Sequence, residues 1–156
     1  MRDLVRDLQL SWTEEDKVAV NGVPLRAGES MPAHFASVEM SEWSPRRAFL
    51  VSYGKDRFVR VWDLRGELPR HCRVKKMEFH PQAIAVGDDG MVFIGIFSRI
   101  HPYPPPYDGP MKEIVCPFSV HRFGWYEDVL IARDGPGKEA ALDYRHTWEL
   151  RMAPLT

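Results

Sequence analysis

The sequence predicts an all-β protein, built from antiparallel hairpins that recur in tandem, and three observations carry that prediction. Helical periodicity is weak almost throughout, and 13 prolines with 11 glycines break the 156 residues too often for long helices. The intervals are filled by short apolar or alternating runs of strand length. The hairpins return at a nearly constant spacing, the mark of a repeat architecture.

Taken in order, Leu4 to Leu8 is the one short amphipathic helix expected, apart from a turn near the C-terminus. Lys17-Val18-Ala19-Val20, Asn21-Gly22 and Val23-Pro24-Leu25 read as a tight hairpin, because Asn-Gly supplies the positive φ angles of such a turn. Phe49 to Tyr53 and Phe58 to Trp62 are strands joined by Gly54-Lys55-Asp56-Arg57. Ala83 to Val86 and Met91 to Ile94 repeat the pattern around Gly87-Asp88-Asp89-Gly90, and Val129 to Ala132 with Glu139 to Leu142 repeat it around Asp134-Gly135-Pro136-Gly137.

Aligned by the apolar residue ahead of each hairpin, Leu10, Trp43, Phe79 and Phe123 are spaced by 33, 36 and 44 residues. Four units of about 39 residues match the size of a four-stranded blade. The longest interval holds a proline-rich insertion over residues 98–113, inside a single β-rich domain spanning 1–156.

The second unit is the most informative. His34-Phe35-Ala36-Ser37-Val38 leads to Trp43-Ser44-Pro45, Phe49-Leu50-Val51-Ser52, Lys55-Asp56 and Val59-Arg60-Val61-Trp62-Asp63-Leu64. This resembles a WD-repeat β-propeller blade without a gap. The resemblance implies that His34, Ser52, Asp56 and Trp62 form the hydrogen-bonded chain holding such a blade together. The third unit keeps Val74, Met77, Phe79-His80-Pro81 and Val86 to Gly90 in similar order, with Gly95 where the Trp should stand; the first and fourth units are fainter. Room for up to four blades is too little for a complete seven-bladed ring. The fold expected is therefore a propeller-like array with an open edge, the alternative being a β-sandwich or curled sheet. An open β edge must be covered, paired or blunted.

Composition bounds the function. With 21 basic and 22 acidic side chains the net charge is −1, which gives no global field to gather nucleic acid or an anionic membrane. The longest apolar run, Met91 to Phe97, is far short of a membrane span. Arg2, Asp3, Arg6 and Asp7 open the chain where a secretory signal would be apolar, so a cytoplasmic location is expected, with Cys72 and Cys116 as free thiols.

Chemistry-bearing patterns are sparse. The six histidines never stand closer than nine residues apart, and no paired Cys/His spacing suggests a metal. No metal and no cofactor are expected. Cys116 with His121 is the one local nucleophile-base pairing that can be drawn. Gly135-Pro136-Gly137-Lys138 echoes a phosphate loop, but Ala132 replaces its leading glycine, Glu139 its hydroxyl, and Pro136 removes a donor. Glu14-Glu15-Asp16 lacks the ligand alternation of a calcium loop.

Two segments suit protein recognition. Arg65, Arg70, Arg73, Lys75 and Lys76 stand against Glu67 alone, a local charge of +4 without aromatic rings to stack bases, so the stretch reads first as a solvated inter-blade loop and next as a contact for an acidic protein, not for nucleic acid. In His101 to Pro110, consecutive prolines with interleaved tyrosines make a stiff loop, either a recognition loop whose candidate contacts are Tyr103, Pro105 and Tyr107 or a rigid connector that packs over the open sheet edge and blunts it. Phe123, Trp125 and Tyr126 are either core or contact residues. The function expected is a non-enzymatic protein-binding module, of the immunity type that covers a toxin domain's active site. The alternatives are an adaptor that completes a propeller by self-association, as a homodimer, and a thiol-dependent hydrolase using Cys116.

Overall fold

A computed structural model describes residues 10–12, 18–20, 23–24, 38–66 and 70–152. The expected helix at Leu4 to Leu8, the Asn21-Gly22 turn, the Glu14-Glu15-Asp16 run and His34 lie outside the described residues. The rest is strand and turn, with no helix.

Among the described residues fifteen strands form four antiparallel sheets, each a meander of sequence neighbours. The first holds β1 (Leu10–Trp12), β2 (Val18–Val20) and β3 (Val23–Pro24). The second holds β4 (Val38–Trp43), β5 (Phe49–Gly54), β6 (Phe58–Asp63) and β7 (Arg70–Lys76). The third holds β8 (Ala83–Val86), β9 (Val92–Ile96), β10 (Arg99–Tyr103) and β11 (Ile114–Val115). The fourth holds β12 (Arg122–Tyr126), β13 (Val129–Arg133), β14 (Glu139–Leu142) and β15 (Leu150–Met152). First strands β4 and β12 both lie against β8, so the first strands face the hub and the fourth strands form the rim.

Side-chain alternation explains the packing. On one face of the third sheet Ile84, Val86, Val92 and Ile94 join Phe49, Val51, Val59 and Val61 of the second. On its other face Ala83, Ala85, Phe93 and Ile100 join Phe123, Leu130, Ala140 and Leu142 of the fourth. A sheet buried on both faces needs apolar residues at consecutive positions, which is why Ala83 to Val86 and Val92 to Ile94 read as unbroken runs. The far face of the second sheet is buried too, through Leu50, Ser52, Arg60, Trp62 and Leu64.

The sheets bear out the propeller-like, all-β expectation, with one correction of alignment. Ala83 to Val86 and Met91 to Ile94 were matched to the second and third strands of the second unit, yet they supply the first and second strands of their own sheet. Gly87 N donates to Met91 O at 2.9 Å and Gly90, at φ +85°, closes the turn between them, so this glycine-rich turn corresponds to Ser44 to Ala48 and not to Gly54 to Arg57. Gly95 therefore does not replace the blade tryptophan. A Cβ there would stand 3.2 Å from Val120 Cγ1 and 3.3 Å from the Phe123 ring, so glycine permits the fourth sheet's close approach. Within residues 98–113, Arg99–Tyr103 are β10 and the remainder connects it to β11.

Candidate functional site

Of the blade network, the described part lies in the second sheet. Trp62, wholly buried, donates from Nε1 to Ser52 Oγ at 3.3 Å across the β5–β6 pair. Asp56 accepts from Phe58 N at 3.2 Å and from the Arg60 guanidinium at 3.1 Å, and both side chains of that ion pair are buried. Ser52 and Trp62 are fully buried and the Asp56 side chain nearly so, which keeps all three from offering a contact surface.

In a meander the first and third connections of every sheet emerge at the same end. There the three larger sheets are stitched together. Arg46 N donates to Asp88 Oδ1 at 2.9 Å, the Tyr107 hydroxyl to Gly90 O at 2.6 Å, and the Tyr144 hydroxyl to Asp89 Oδ1 at 3.0 Å. Arg145 reaches Asp89 at 3.9 Å and Asp128 at 3.4 Å. Burial lifts the Tyr107 and Tyr144 phenols far above their ordinary range, with Asp89 adding to both. Beside these contacts lies an open depression of about 630 Å³, lined by Pro45, Arg46, Trp125, Glu127 and Asp128.

The proline-tyrosine segment belongs to this end but not as an exposed loop throughout. Tyr103 is 6% exposed and packs in the core between the second and third sheets, which removes it as a contact residue as placed. Its ring alternates inward because residues 99–103 are a strand. Tyr107, at φ +70°, is half-buried and clasps the Gly90 turn, while Pro105 is exposed. Pro105 and Tyr107 wall a cleft of about 350 Å³ with Phe49, Val61, Asp63, Arg65, Cys72 and Asp89. Arg70 begins β7, and Arg73 is exposed on it.

The open flank is part of the outer face of the fourth sheet, where Arg122, Tyr126 and Arg151 are exposed although Ile131 is buried. Phe123, Trp125, Leu130, Ala140 and Leu142 turn toward the third sheet, so alternation puts Arg122, Gly124, Tyr126, Val129, Ile131, Arg133, Glu139, Ala141 and Arg151 on the other side. Arg133 pairs with Glu139 at 3.0 Å and its guanidinium lies over Gly124. Tyr126 is 70% exposed. The sequence left Trp125 and Tyr126 undecided between core and contact; strand alternation divides them.

Among the described residues the expected Cys116 and His121 pair is not assembled. Cys116 is 2% exposed, burial pushes its thiol up, and no hydrogen bond among the described residues joins it to His121, whose Nδ1 lies 3.4 Å from Ser119 O. In the turn that echoed a phosphate loop, Asp134 Oδ1 already accepts from Gly137 N at 2.8 Å and Lys138 N at 2.7 Å. Among the described residues no three His, Cys, Asp or Glu side chains gather as metal ligands. No helix among them is long and apolar enough to cross a membrane. Asp89, Tyr144 and Arg145, which tie the loops together, were missed by sequence reading because Asp88-Asp89 looks like ordinary turn composition.

No protein-family model matches the sequence, and no curated protein matches it. Solved structures do. The WD40 β-propeller domain of Doa1 aligns at TM-score 0.52 and 12% identity, over 72% of this chain and 39% of that one. A chain of the mitotic checkpoint complex aligns at 0.56 and 14%, over 94% and 50%, and the computationally designed Ika4 protein at 0.56 and 16%, over 86% and 83%. At these identities the likeness shows the fold: the sheets are blades of the WD-repeat propeller kind. The chain spans two fifths to one half of the first two propeller chains.

Proposed function

We propose that this chain is a protein-binding module with no catalysis of its own, and that the outer face of β12–β15 seats the partner. One observation carries the reading: the second and third sheets are buried on both faces, while the fourth leaves Tyr126 70% exposed on a face where Arg122 and Arg151 are exposed too and Ile131 is buried. An exposed tyrosine among arginines and a small apolar row has the composition of an interface. Pro105 and Tyr107 are a second candidate contact. The finer reading is an immunity-type protein, working in the cytoplasm, whose stiff blade face occludes a toxin domain's active site.

Affinity capture with the intact chain tests this. Co-purification of a toxin domain and loss of its activity on mixing would support the finer reading, and Tyr126→Ala should weaken the complex by about 1–3 kcal/mol. A chain that stays solitary at every concentration would count against both forms. A second reading is favoured by the same face: a further blade would cover it, so two copies completing one wheel would appear as a dimer. The hydrolase reading has only Cys116 behind it, and alkylation that leaves an assayable activity intact would remove it.

A further inference from the structure

We propose that β7, the rim strand of the second sheet, is an edge onto which an acidic, extended segment of a partner protein adds as a fifth strand. Among the described residues the rim strands of the third and fourth sheets, β11 and β15, have two and three residues, few to template a partner strand. The edge strand β7 has seven. Among the described residues no strand pairs with its other side, so the outward backbone N–H and C=O groups of residues 70–73 are presented in a row, up to a bulge at Val74.

Charge selects the guest. Arg73, Lys75 and Lys76 are exposed, and no ion pair among the described residues reaches any of them. Two are held in place: the Arg73 guanidinium sits 4.6 Å and the Lys76 ammonium 5.9 Å from the centre of the Phe58 ring, with Arg60 at 5.3 Å from the same ring. That arrangement fixes two cations on one face of the edge while Lys75, paired with Val59, points to the other. Carboxylates on both sides of an incoming strand would therefore meet a positive charge. The same stacking speaks against nucleic acid, since the ring a base would need is already occupied by cations.

A recess at the other end of the strand sets the register. Cys72, exposed and cross-strand from Val61, lines the cleft of about 350 Å³ with Phe49, Pro105 and Tyr107. In that cleft Arg65 neutralises Asp63 at 2.9 Å, which leaves Asp89 to repel a carboxylate. The guest is thus a segment with an apolar side chain near Cys72 and acidic residues about 7–10 Å further along, two to three strand residues away once the bulge is counted.

This surface is separate from the open flank, so the two can fail independently. The test uses the intact chain and a fluorescent seven-residue peptide carrying a leucine at one end and glutamates at alternate positions beyond it. Binding is expected to weaken about tenfold as salt rises from about 0.05 to 0.5 M, and to slow alkylation of Cys72 about tenfold. Charge reversal by Arg73→Glu with Lys76→Glu should abolish it while capture through Tyr126 persists. A peptide that does not bind would overturn the proposal. So would one that binds without protecting Cys72, or a single-stranded oligonucleotide that competes at equal concentration, since either marks a general polyanion patch.

Discussion

At the scale of single residues, the second blade concentrates polar groups where water does not reach. Ser52 is fully buried and accepts from the Trp62 indole at 3.3 Å. Ser52→Ala removes that acceptor without opening a large cavity, so it should destabilise the fold by about 1–3 kcal/mol in urea unfolding. Combined with Trp62→Phe, the two losses should fall short of additive, which a double-mutant cycle measures. The tyrosines make a pH prediction. Burial is the first cause raising Tyr53, Tyr103, Tyr107 and Tyr144. Where the native phenol holds its proton more tightly than the unfolded one, the folded state binds more protons, and stability falls as pH rises. The loss begins near the unfolded phenol value of about 10 and is absent below it. Tyr144→Phe gives up the bond to Asp89, lowering stability at neutral pH by about 0.5–1.5 kcal/mol, and should make the decline above pH 10 shallower. An unchanged alkaline slope would show that Tyr144 ionises as freely folded as unfolded.

At the scale of strands and turns, what could be read ahead of the structure follows from period. The β5–β6 and β13–β14 hairpins were legible because apolar residues in them alternate or cluster over strand length between turn residues. The third sheet was misaligned by one strand because its consecutive apolar runs, buried on both faces, carry no alternation to mark which strand is which. Tyr103 was misplaced for a related reason: five prolines nearby suggested a loop, yet Pro102 pairs across from Phe93 in a short strand near the sheet's rim. The loop ties through Asp89, Tyr144 and Arg145 had no local signal, since Tyr144 and Asp89 are 55 residues apart. Two glycines differ in what a side chain there would meet. A Cβ at Gly95 would press on Val120 and Phe123, which are buried and hemmed in, whereas one at Gly124 would meet only the Arg133 arm at 3.0 Å. Gly95→Ala should therefore cost about 1–3 kcal/mol by thermal or urea unfolding, and Gly124→Ala much less, because a half-exposed arginine can swing away. Equal losses would contradict the close approach of the fourth sheet.

At the scale of the whole molecule, the decisive feature is that the wheel's sheets are unequally covered. Both cores lie between sheets: one joins the second to the third, the other the third to the fourth. A further blade on the fourth would extend the same geometry, yet the face awaiting it differs from those already paired. The third sheet offers Ile, Val, Phe and Ala to its neighbours, whereas the outer face of β12–β15 carries Arg122, Arg133, Glu139 and Arg151 around Ile131 and Ala141. Permanent interfaces are apolar like a core cut in half, and exchangeable ones are as polar as ordinary surface. The composition therefore predicts a partner that comes and goes. Sedimentation of the purified chain should give a monomer at micromolar concentration, with any self-association weak and reduced by salt as the arginines are screened. Tyr126→Ala should leave thermal stability within about 0.5 kcal/mol of the parent, because a side chain that exposed contributes little to the fold. A dimer that persists on dilution and melts as one unit, with Tyr126→Ala lowering its melting temperature, would instead make this face an obligate blade junction, and the heterologous partner would have to bind elsewhere.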